Sequence, residues 1–414
     1  MFSDRASFRE VTFGEGGFNV RADFWKTTFD GRAGFAGTDF YWNAEFGCAR
    51  FNHKAVFDSA RFIGNTDFTL ATFAEDADFE GVAFEHGLAL LIETTFHGDV
   101  DFWNSTFERV VSFWKSTFDE EVDFKNTAFH RQAAFQEVVF EKKSDFQGAT
   151  FQGPVKFSET EFRDMVDFSS VVADEGESTP SETSQVRTQF NAKADFSNAI
   201  FAGKADFSGE QTGEILVQTR FEDPPVFRQA ILTDTGFSYS FLRGADFRGA
   251  DLTDAALMWA CLNDAGLERA RLNRAIFLGT DLRGARLAGV ALGDVQIDED
   301  THFLGPPTTT IDRSTYSFST LLEFPCCVYD PNYVYGPPPW SLKLGLRHLY
   351  NQINSAPTDT SAEPDQSNGD LNKAKTVYRA LEELGRRNAR PDLQTRCLSV
   401  AKTSSASSIA TLRV

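Results

Sequence analysis

Residues 100–129 read VDFWNSTFERVVSFWKSTFDEEVDFKNTAF, and their phenylalanines determine how the chain can fold. The steps between successive rings alternate between 5 and 6 residues, at Phe102, Phe107, Phe113, Phe118, Phe124 and Phe129. An amphipathic helix needs a period of 3.6 and an open sheet a period of 2, so neither fits. The residue two positions before each ring is small or β-branched, and in an extended segment it shares a side with the ring. With a turn every five or six residues, that side becomes the inside of a four-sided tube.

The same alternation extends far beyond this stretch and accounts for an unusual composition, in which 43 of 414 residues are Phe. It begins at Phe18, slips between Glu85 and Thr95, and runs on through Phe168. It returns briefly from Phe190 to Phe207. From Leu232 to Ile297 a large apolar residue then recurs every five residues. A repeat of this length predicts a solenoid in which each coil packs only on its neighbours.

Residues 245–289, ADFRGADLTDAALMWACLNDAGLERARLNRAIFLGTDLRGARLAG, closely resemble the A(D/N)Lxx consensus of pentapeptide-repeat proteins. The Phe-rich half resembles a variant of that family in which pentapeptides alternate with hexapeptides. The resemblance implies an all-β fold, a right-handed quadrilateral β-helix, from about Phe8 to Ile297. It does not imply an activity, because one scaffold can carry many functions.

Four sides of alternating five and six residues make a coil of 22, so residues 22 apart should stack. Asp101, Asp123, Asp145 and Asp167 share that register, which predicts a ladder of carboxylates ~4.8 Å apart. A second set, Asp23, Glu45 and Asp67, follows the same spacing on another side. Like charges at that distance repel by roughly 1 kcal/mol per pair in water, so salt or a cationic partner must screen them. The first ladder is our candidate partner-binding surface.

Three tryptophans each follow a core phenylalanine and should therefore point outward: Trp25, Trp103 and Trp114. Because Trp103 and Trp114 are 11 residues apart, we expect them on opposite faces.

The slip from Glu85 to Thr95 is better explained by a bulge or a shifted coil than by a site.

The chain divides by composition into six segments. Residues 1–168 form the Phe-rich β-helix, 169–231 an interrupted repeat with two polar loops, and 232–297 the strict pentapeptide β-helix. Residues 298–350, rich in proline and aromatic residues, predict an irregular cap over the open end. Residues 351–370 have the composition of a disordered linker, and 371–414 form a basic tail. The polar loops are either excursions without a partner or part of a binding side.

The tail predicts a short C-terminal α-helix with an apolar face formed by Val377, Tyr378, Leu381 and Leu384. Basic residues cover the other sides, whereas the solenoid is strongly acidic. This face is our second candidate contact. It could dock on the chain's own solenoid, on an anionic membrane or on another protein, and we expect the membrane or a membrane-domain partner slightly ahead of self-docking.

A net charge of −20 argues against direct nucleic-acid binding, since DNA binders are basic where they touch phosphate. Five cysteines without a CxxC pair predict neither a disulfide framework nor a zinc site, and indicate a reducing, cytoplasmic compartment with possible membrane association. The six histidines show no HExxH or HxH spacing, and no GxSxG or P-loop is present. We therefore expect no enzyme, no cofactor and no metal.

Three functions agree with these features. The leading one is a non-catalytic scaffold that presents a rigid acidic rod to a protein partner of unknown identity. The family resemblance adds a DNA-mimic regulator of a type II topoisomerase, because acidic rods of the quinolone-resistance type occupy the DNA groove of gyrase. A membrane-tethered scaffold, as the tail suggests in longer relatives, is the third. The acidity, with 27 Arg against 13 Lys, also resembles the adaptation of salt-loving archaea, in which charge reflects the solvent and not the partner.

Overall fold

The computed structural model describes residues 1–14, 21–172, 185–212, 215–292, 294–298, 300–303, 377, 379–381 and 383–388. Over these residues the chain forms a right-handed, four-sided β-helix, which confirms the predicted fold class. Phe18, most of the predicted cap and the linker lie outside the described residues.

Each side of the coil is a parallel sheet of two-residue strands, and we number the sides as faces 1 to 4 in chain order. Face 1 contains Ala6–Ser7, Ala33–Gly34, Ala55–Val56, Ala77–Asp78, Val100–Asp101, Val122–Asp123, Ser144–Asp145, Val166–Asp167 and Ala205–Asp206. Face 2 contains Thr12–Phe13, Asp39–Phe40, Arg61–Phe62, Ala83–Phe84, Thr106–Phe107, Ala128–Phe129, Thr150–Phe151, Gln189–Phe190 and Arg220–Phe221.

Faces 3 and 4 complete the coil. Face 3 contains Ala22–Asp23, Ala44–Glu45, Thr66–Asp67, Ala89–Leu90, Val111–Ser112, Ala133–Ala134, Val155–Lys156 and Ala194–Asp195. Face 4 contains Thr28–Phe29, Arg50–Phe51, Thr72–Phe73, Thr95–Phe96, Thr117–Phe118, Val139–Phe140, Glu161–Phe162 and Ile200–Phe201. Faces 1 and 3 lie on opposite sides of the tube, since they alternate with faces 2 and 4 along the chain.

The core consists of ring columns that run along the tube. Phe57, Phe79 and Phe102 stack with centroids 4.9 and 4.8 Å apart, and the rings of Phe57 and Phe79 are parallel within 1°. Neighbouring columns meet edge to face, as Phe46 meets Phe57 at 89°. Such offset and T-shaped contacts are the favoured geometries of aromatic pairs. The small residue two positions earlier also points inward, as predicted.

The alternation of five and six residues has a backbone cause. The five-residue steps contain a β-turn closed by a hydrogen bond, such as Thr27 N–H to the Phe24 carbonyl at 3.0 Å. The third residue of that turn has a positive φ, for example 53° at Lys26 and 57° at Asn104. This is the type II geometry, which ordinarily favours Gly or Asn at that position. The six-residue steps lack it.

Buried hydroxyl groups connect one coil to the next inside the tube. Ser105 Oγ donates to the carbonyl of Phe79 at 2.6 Å, and Thr127 Oγ1 to that of Phe102 at 2.9 Å. Both side chains are fully buried. These Ser and Thr residues therefore take the place of Ala without leaving a polar atom unpaired.

The slip from Glu85 to Thr95 is a single extra residue. Thr66 pairs with Ala89, 23 positions on, and Thr72 pairs with Thr95. Leu91 is fully buried and occupies the inward position that a phenylalanine holds in other coils. The predicted shifted coil is therefore present, with its strand pairing intact.

The two polar insertions each form an antiparallel strand pair. The first joins Val171–Val172 to Gln185–Val186, and the second joins Glu210–Thr212 to Ile215–Val217. Beyond Phe221 the strict repeats continue as isolated parallel bridges 20 residues apart, for example Asp246 with Gly266. In the tail, residues 377, 379–381 and 383–387 are helical.

Candidate interaction surface

The outward residue of face 1 is an aspartate in six successive strands. Asp101, Asp123, Asp145 and Asp167 pair directly in the sheet, as the spacing of 22 predicts. The structure adds Asp78 and Asp206 at the two ends. The spacing of 22 does not predict these two, because the extra residue and the first insertion change it. Their signal was the triplet ADF, which matches VDF at Asp101 and Asp123.

Each of these aspartates also has a structural role in its own turn. Asp101 Oδ1 accepts the backbone N–H of Trp103 at 2.7 Å, and Asp123 Oδ1 accepts that of Lys125 at 2.7 Å. The same bond to the residue two positions on occurs at Asp78, Asp145, Asp167 and Asp206. Aspartate is therefore favoured here by turn chemistry as well as by charge.

A second acidic column runs beside the ladder, one position before each strand. It consists of Asp76, Asp99 and Glu121, and the backbone N–H of Glu121 donates to Asp99 Oδ1 at 3.2 Å. The two columns enclose a shallow groove of about 290 Å³. We call Asp76, Asp78, Asp99, Asp101 and Glu121 the acidic groove.

Lysines neutralise the ladder on one side of this groove. Lys125 Nζ lies 3.2 Å from Asp123 and 3.1 Å from Asp145, and Lys143 Nζ lies 3.1 Å from Asp145. The other end has Lys54, whose Nζ is 3.9 Å from Asp78. The carboxylates of the acidic groove are thus less compensated than those of Asp123 and Asp145.

Two carboxylates of the ladder have raised pKa values, chiefly because they are partly buried. Burial raises the pKa of Asp101, and the neighbouring charges of Asp123 and Asp78 raise it further, against the hydrogen bond from Trp103. Burial likewise raises the pKa of Asp167, with Asp145 and Asp206 contributing in the same direction. Ionisation of Asp101 and Asp167 is therefore less favourable than that of an exposed carboxylate, and a cation placed against them relieves that cost.

Both polar insertions leave the solenoid at the same corner, just after the end of the ladder. Phe168 and Phe207, which precede them, stack at 4.8 Å. Ser170 N–H donates to the Ser208 carbonyl at 2.9 Å, and Thr219 Oγ1 donates to that same carbonyl at 2.9 Å. The two hairpins are therefore neighbours at one end of face 1, a juxtaposition that their positions in the sequence do not reveal.

The exposed tryptophans are distributed as predicted. Trp103 follows the face 1 strand Val100–Asp101, whereas Trp25 and Trp114 follow strands of face 3. All three side chains are exposed. Trp103 therefore lies beside the acidic groove, and the other two lie on the opposite side of the tube.

The apolar face of the C-terminal helix is buried. Val377, Leu381 and Leu384 belong to the same hydrophobic cluster as the solenoid core, and Leu381 is fully buried. Tyr378 lies outside the described residues. In this structure the face is thus engaged within the chain, so a membrane contact through it requires the helix to leave this position.

Among the described residues, no group of His, Cys, Asp and Glu has the arrangement to hold a metal ion. Cys261 is a buried free thiol, and its burial raises the thiol pKa to about 11, which makes it unreactive. His53 and His97 each contact a carboxylate 22 residues on, Glu75 at 2.9 Å and Asp119 at 2.6 Å. Within the described ranges no helix is both long and apolar enough to cross a bilayer.

Comparison with known proteins agrees with the repeat geometry. One family model, described as pentapeptide repeats in nine copies, matches residues 46–90, 91–139 and 135–175. A second, pentapeptide repeats in eight copies, matches residues 250–289. A search of curated protein sequences finds no match.

Several solved structures are similar to the chain. HetL, a pentapeptide repeat protein involved in heterocyst differentiation regulation from the cyanobacterium Nostoc sp., is 17% identical, covers 60% of this chain and 84% of its own, and has a TM-score of 0.17. QnrB1, a plasmid-mediated fluoroquinolone resistance protein, is 13% identical, covers 60% and 92%, and has a TM-score of 0.18. Rfr23, a pentapeptide repeat protein from the cyanobacterium Cyanothece, is 18% identical, covers 36% and 89%, and has a TM-score of 0.15. Similarities this distant identify no partner. The two family models and the four-sided coil establish that the repeat region of this chain belongs to the pentapeptide-repeat family.

Proposed function

We propose that this chain is a non-catalytic interaction protein whose acidic groove binds a cationic surface of a partner protein. The observation that supports it is the stacking of the groove's carboxylates in two parallel columns, with Lys54 at one end and Lys125 and Lys143 at the other. Each column places one carboxylate per coil, about 4.8 Å apart. Such a regular array suits a partner segment that carries several Lys or Arg side chains.

The scaffold supports this function because it holds the charges without help from the partner. Each ladder aspartate is oriented by a backbone hydrogen bond, and each lies on a strand paired on both sides. A partner therefore loses little free energy to ordering the groove. Relief of the repulsion among Asp78, Asp101 and Asp123 adds to the affinity.

Two other functions are less favoured by the geometry. A DNA mimic needs a long, uninterrupted acidic surface, whereas Lys125 and Lys143 interrupt the ladder at Asp145. A membrane tether through the tail needs an accessible apolar face, whereas Leu381 is buried. Both remain distinguishable by experiment.

The test uses Asp78→Asn together with Asp101→Asn. Asparagine keeps the side-chain oxygen that accepts the turn N–H, so the coil is preserved while two charges are removed. The matched control is Asp23→Asn with Asp195→Asn on face 3, where the same turn bonds occur. Binding of a labelled oligolysine peptide is measured against salt concentration. We expect the face 1 variant to weaken binding roughly 10-fold and to reduce its salt dependence, and the control to leave both nearly unchanged.

Equal losses in the two variants would refute a specific groove. The partner is then sought by affinity capture from native lysate at high salt, comparing the wild type with the face 1 variant. Recovery of a topoisomerase that duplex DNA displaces would favour the DNA mimic. Capture of membrane proteins that depends on the tail would favour the tether.

A further inference from the structure

Face 3 carries a surface without charge on an otherwise highly charged molecule. Three neighbouring strands and the positions flanking them contribute nine outward positions, none of them ionisable and all but Ala134 accessible: Leu88, Leu90, Ile92, Val110, Ser112, Trp114, Gln132, Ala134 and Gln136. We call these residues the neutral patch. Leu88 is 45% exposed and Trp114 is 37% exposed. Leu70, 51% exposed, extends the patch at one corner.

The backbone register places these side chains side by side. Leu90 pairs with Ser112, and Ser112 pairs with Ala134. In the flanking columns, Ala89 N–H donates to the Val110 carbonyl, and Glu93 N–H donates to the Trp114 carbonyl. The patch is therefore a flat surface of three coils by three columns. The centres of protein interfaces are likewise rich in apolar and aromatic residues and poor in charged ones.

From this placement we propose that the neutral patch binds the same patch of a second copy of this chain. With a net charge of −20, two copies repel each other at most surfaces, and an uncharged face is where they can approach. The described strands of both hairpins lie beside face 1, on the other side of the tube. A flat patch is also complementary in shape to itself, as a twofold interface requires.

Charge at the two ends of the patch selects the orientation of the copies. Along face 3, Asp67 precedes the patch by one strand and Lys156 follows it by one strand. If the solenoids run in parallel, Asp67 faces Asp67 and Lys156 faces Lys156. If they run antiparallel about a twofold axis at Ser112, Asp67 of each copy faces Lys156 of the other. This pairing of opposite charges on face 3 favours the antiparallel dimer.

This orientation also limits the overlap. One strand further out, Glu45 faces Asp195, a like-charge pair, so the contact is confined to the five strands from Asp67 to Lys156. The two acidic grooves then point away from each other. The dimer does not depend on the proposed function of the groove. It presents two acidic grooves, so a partner with two cationic segments that reach both grooves binds at two sites.

A lipid surface fits the patch less well than a second copy. One edge of the patch carries Glu93, Lys115 and Glu137, and the other carries Arg109 and Arg131 directly before Val110 and Gln132, so the rim has mixed charge. Anionic membranes bind surfaces with a strongly basic rim, which this mixed rim does not provide.

The test is sedimentation of the full chain over a range of concentrations at high salt, where the Debye length falls toward ~3 Å and net repulsion is screened. We expect a dimer for the wild type. Leu90→Glu places a carboxylate inside the contact and should raise the dissociation constant roughly 100-fold. Ser112→Glu, at the twofold axis, is a second disrupting variant, and Trp103→Glu on face 1 is the control that leaves dimerisation unchanged. Circular dichroism checks that each variant keeps the β-helix.

Charge exchange tests the orientation at low salt. Lys156→Glu and Asp67→Lys should each weaken the dimer, and the two changes together in one chain should restore it. A wild type that stays monomeric throughout, or a dimer that both glutamate variants leave intact, overturns the proposal. A double variant no stronger than the single ones overturns the antiparallel arrangement. A monomer that binds phosphatidylcholine vesicles through Leu90 assigns the patch to lipid and also overturns the second copy.

Discussion

A phenylalanine within a ring column stacks on the ring before it and on the ring after it along the tube axis. Phe129 is fully buried and stacks between Phe107 at 5.2 Å and Phe151 at 4.8 Å. A smaller residue leaves part of the space between the two rings unfilled, because the strands on either side hold the spacing. The core is therefore sensitive to volume at every inward position.

Phe129→Ala should lower the free energy of unfolding by ~3 to 5 kcal/mol, since it removes a packed ring and leaves a cavity. Chemical denaturation followed by circular dichroism measures this. Phe129→Leu serves as the control, because leucine fills the inward position in the strict repeats, for example at Leu252. It should cost clearly less. Equal costs for the two variants would show that aliphatic volume recovers nothing at this position and that the ring itself is required.

Neutralising Asp246 and neutralising Asp101 should change the stability of the fold in opposite directions. Burial raises the pKa of Asp246, but hydrogen bonds from Arg248 and Arg228 lower it more, to about 2. Its ionised form stabilises the fold above pH ~4, and this contribution is lost as the pH falls toward 2. The pKa of Asp101 is raised, so its ionised form destabilises the fold at neutral pH, and the penalty disappears as the pH falls through that pKa.

Accordingly, Asp246→Asn should lower stability at pH 7 by about 1 kcal/mol, a value reduced for solvent screening of the partly exposed arginines. Asp101→Asn should raise the melting temperature at the same pH. Melting curves between pH 3 and 7 check both signs. Destabilisation by Asp101→Asn at neutral pH would contradict the pKa direction.

Within the repeating element, inward hydroxyl groups and outward carboxylates make different hydrogen bonds in each coil. Hydroxyls such as that of Thr127 donate to carbonyl groups inside the tube, and carboxylates such as that of Asp123 close turns outside it. Both roles recur because each coil places the same atoms over those of the coil before.

Thr127→Val should cost about 1 kcal/mol, because the new methyl group fills the volume but cannot donate to the Phe102 carbonyl. That carbonyl still accepts the N–H of Ser105, which limits the loss. Thr106→Val, at an outward strand position, is the control and should lie within about 0.5 kcal/mol of the wild type. Equal effects at the two positions would mean that the buried hydrogen bond has no net value.

The carboxylate ladder should make stability depend on ionic strength. Raising salt from 0.1 to 1 M shortens the Debye length from ~10 to ~3 Å and screens repulsion along face 1. We expect the melting temperature to rise, and to rise less in the Asp78→Asn, Asp101→Asn variant. A melting temperature that does not change with salt would show that Lys54, Lys125 and Lys143 already neutralise the ladder.

For the whole molecule, the C-terminal helix closes part of the hydrophobic core instead of offering its apolar face. The physical reason is competition for the same surface: apolar side chains bury against the nearest available core, and here the solenoid provides it.

Leu381→Asp should release the helix, because a buried carboxylate without a partner is costly. Amide hydrogen exchange over residues 379–388 should then accelerate by at least about 10-fold, while the coils exchange as before. Glu383→Gln, at an exposed position on the same helix, is the control. If the wild-type segment already exchanges freely, or gains helicity on anionic vesicles at high salt, the tether becomes the better account.

The sequence by itself determined the β-helix, the 22-residue coil and the stacking of Asp101 to Asp167. It could do so because every inward position recurs at a nearly constant spacing, so a local pattern implies the neighbour in space. Only the tertiary structure decided which residues are neighbours where that spacing is broken, and which residues of adjacent columns form one surface. The extra residue before Leu91 and the first insertion hid Asp78 and Asp206, and the two hairpins meet only because their roots stack. The neutral patch likewise spans three coils. Which of its residues are neighbours is set by hydrogen bonds between coils, which join residues far apart in the chain.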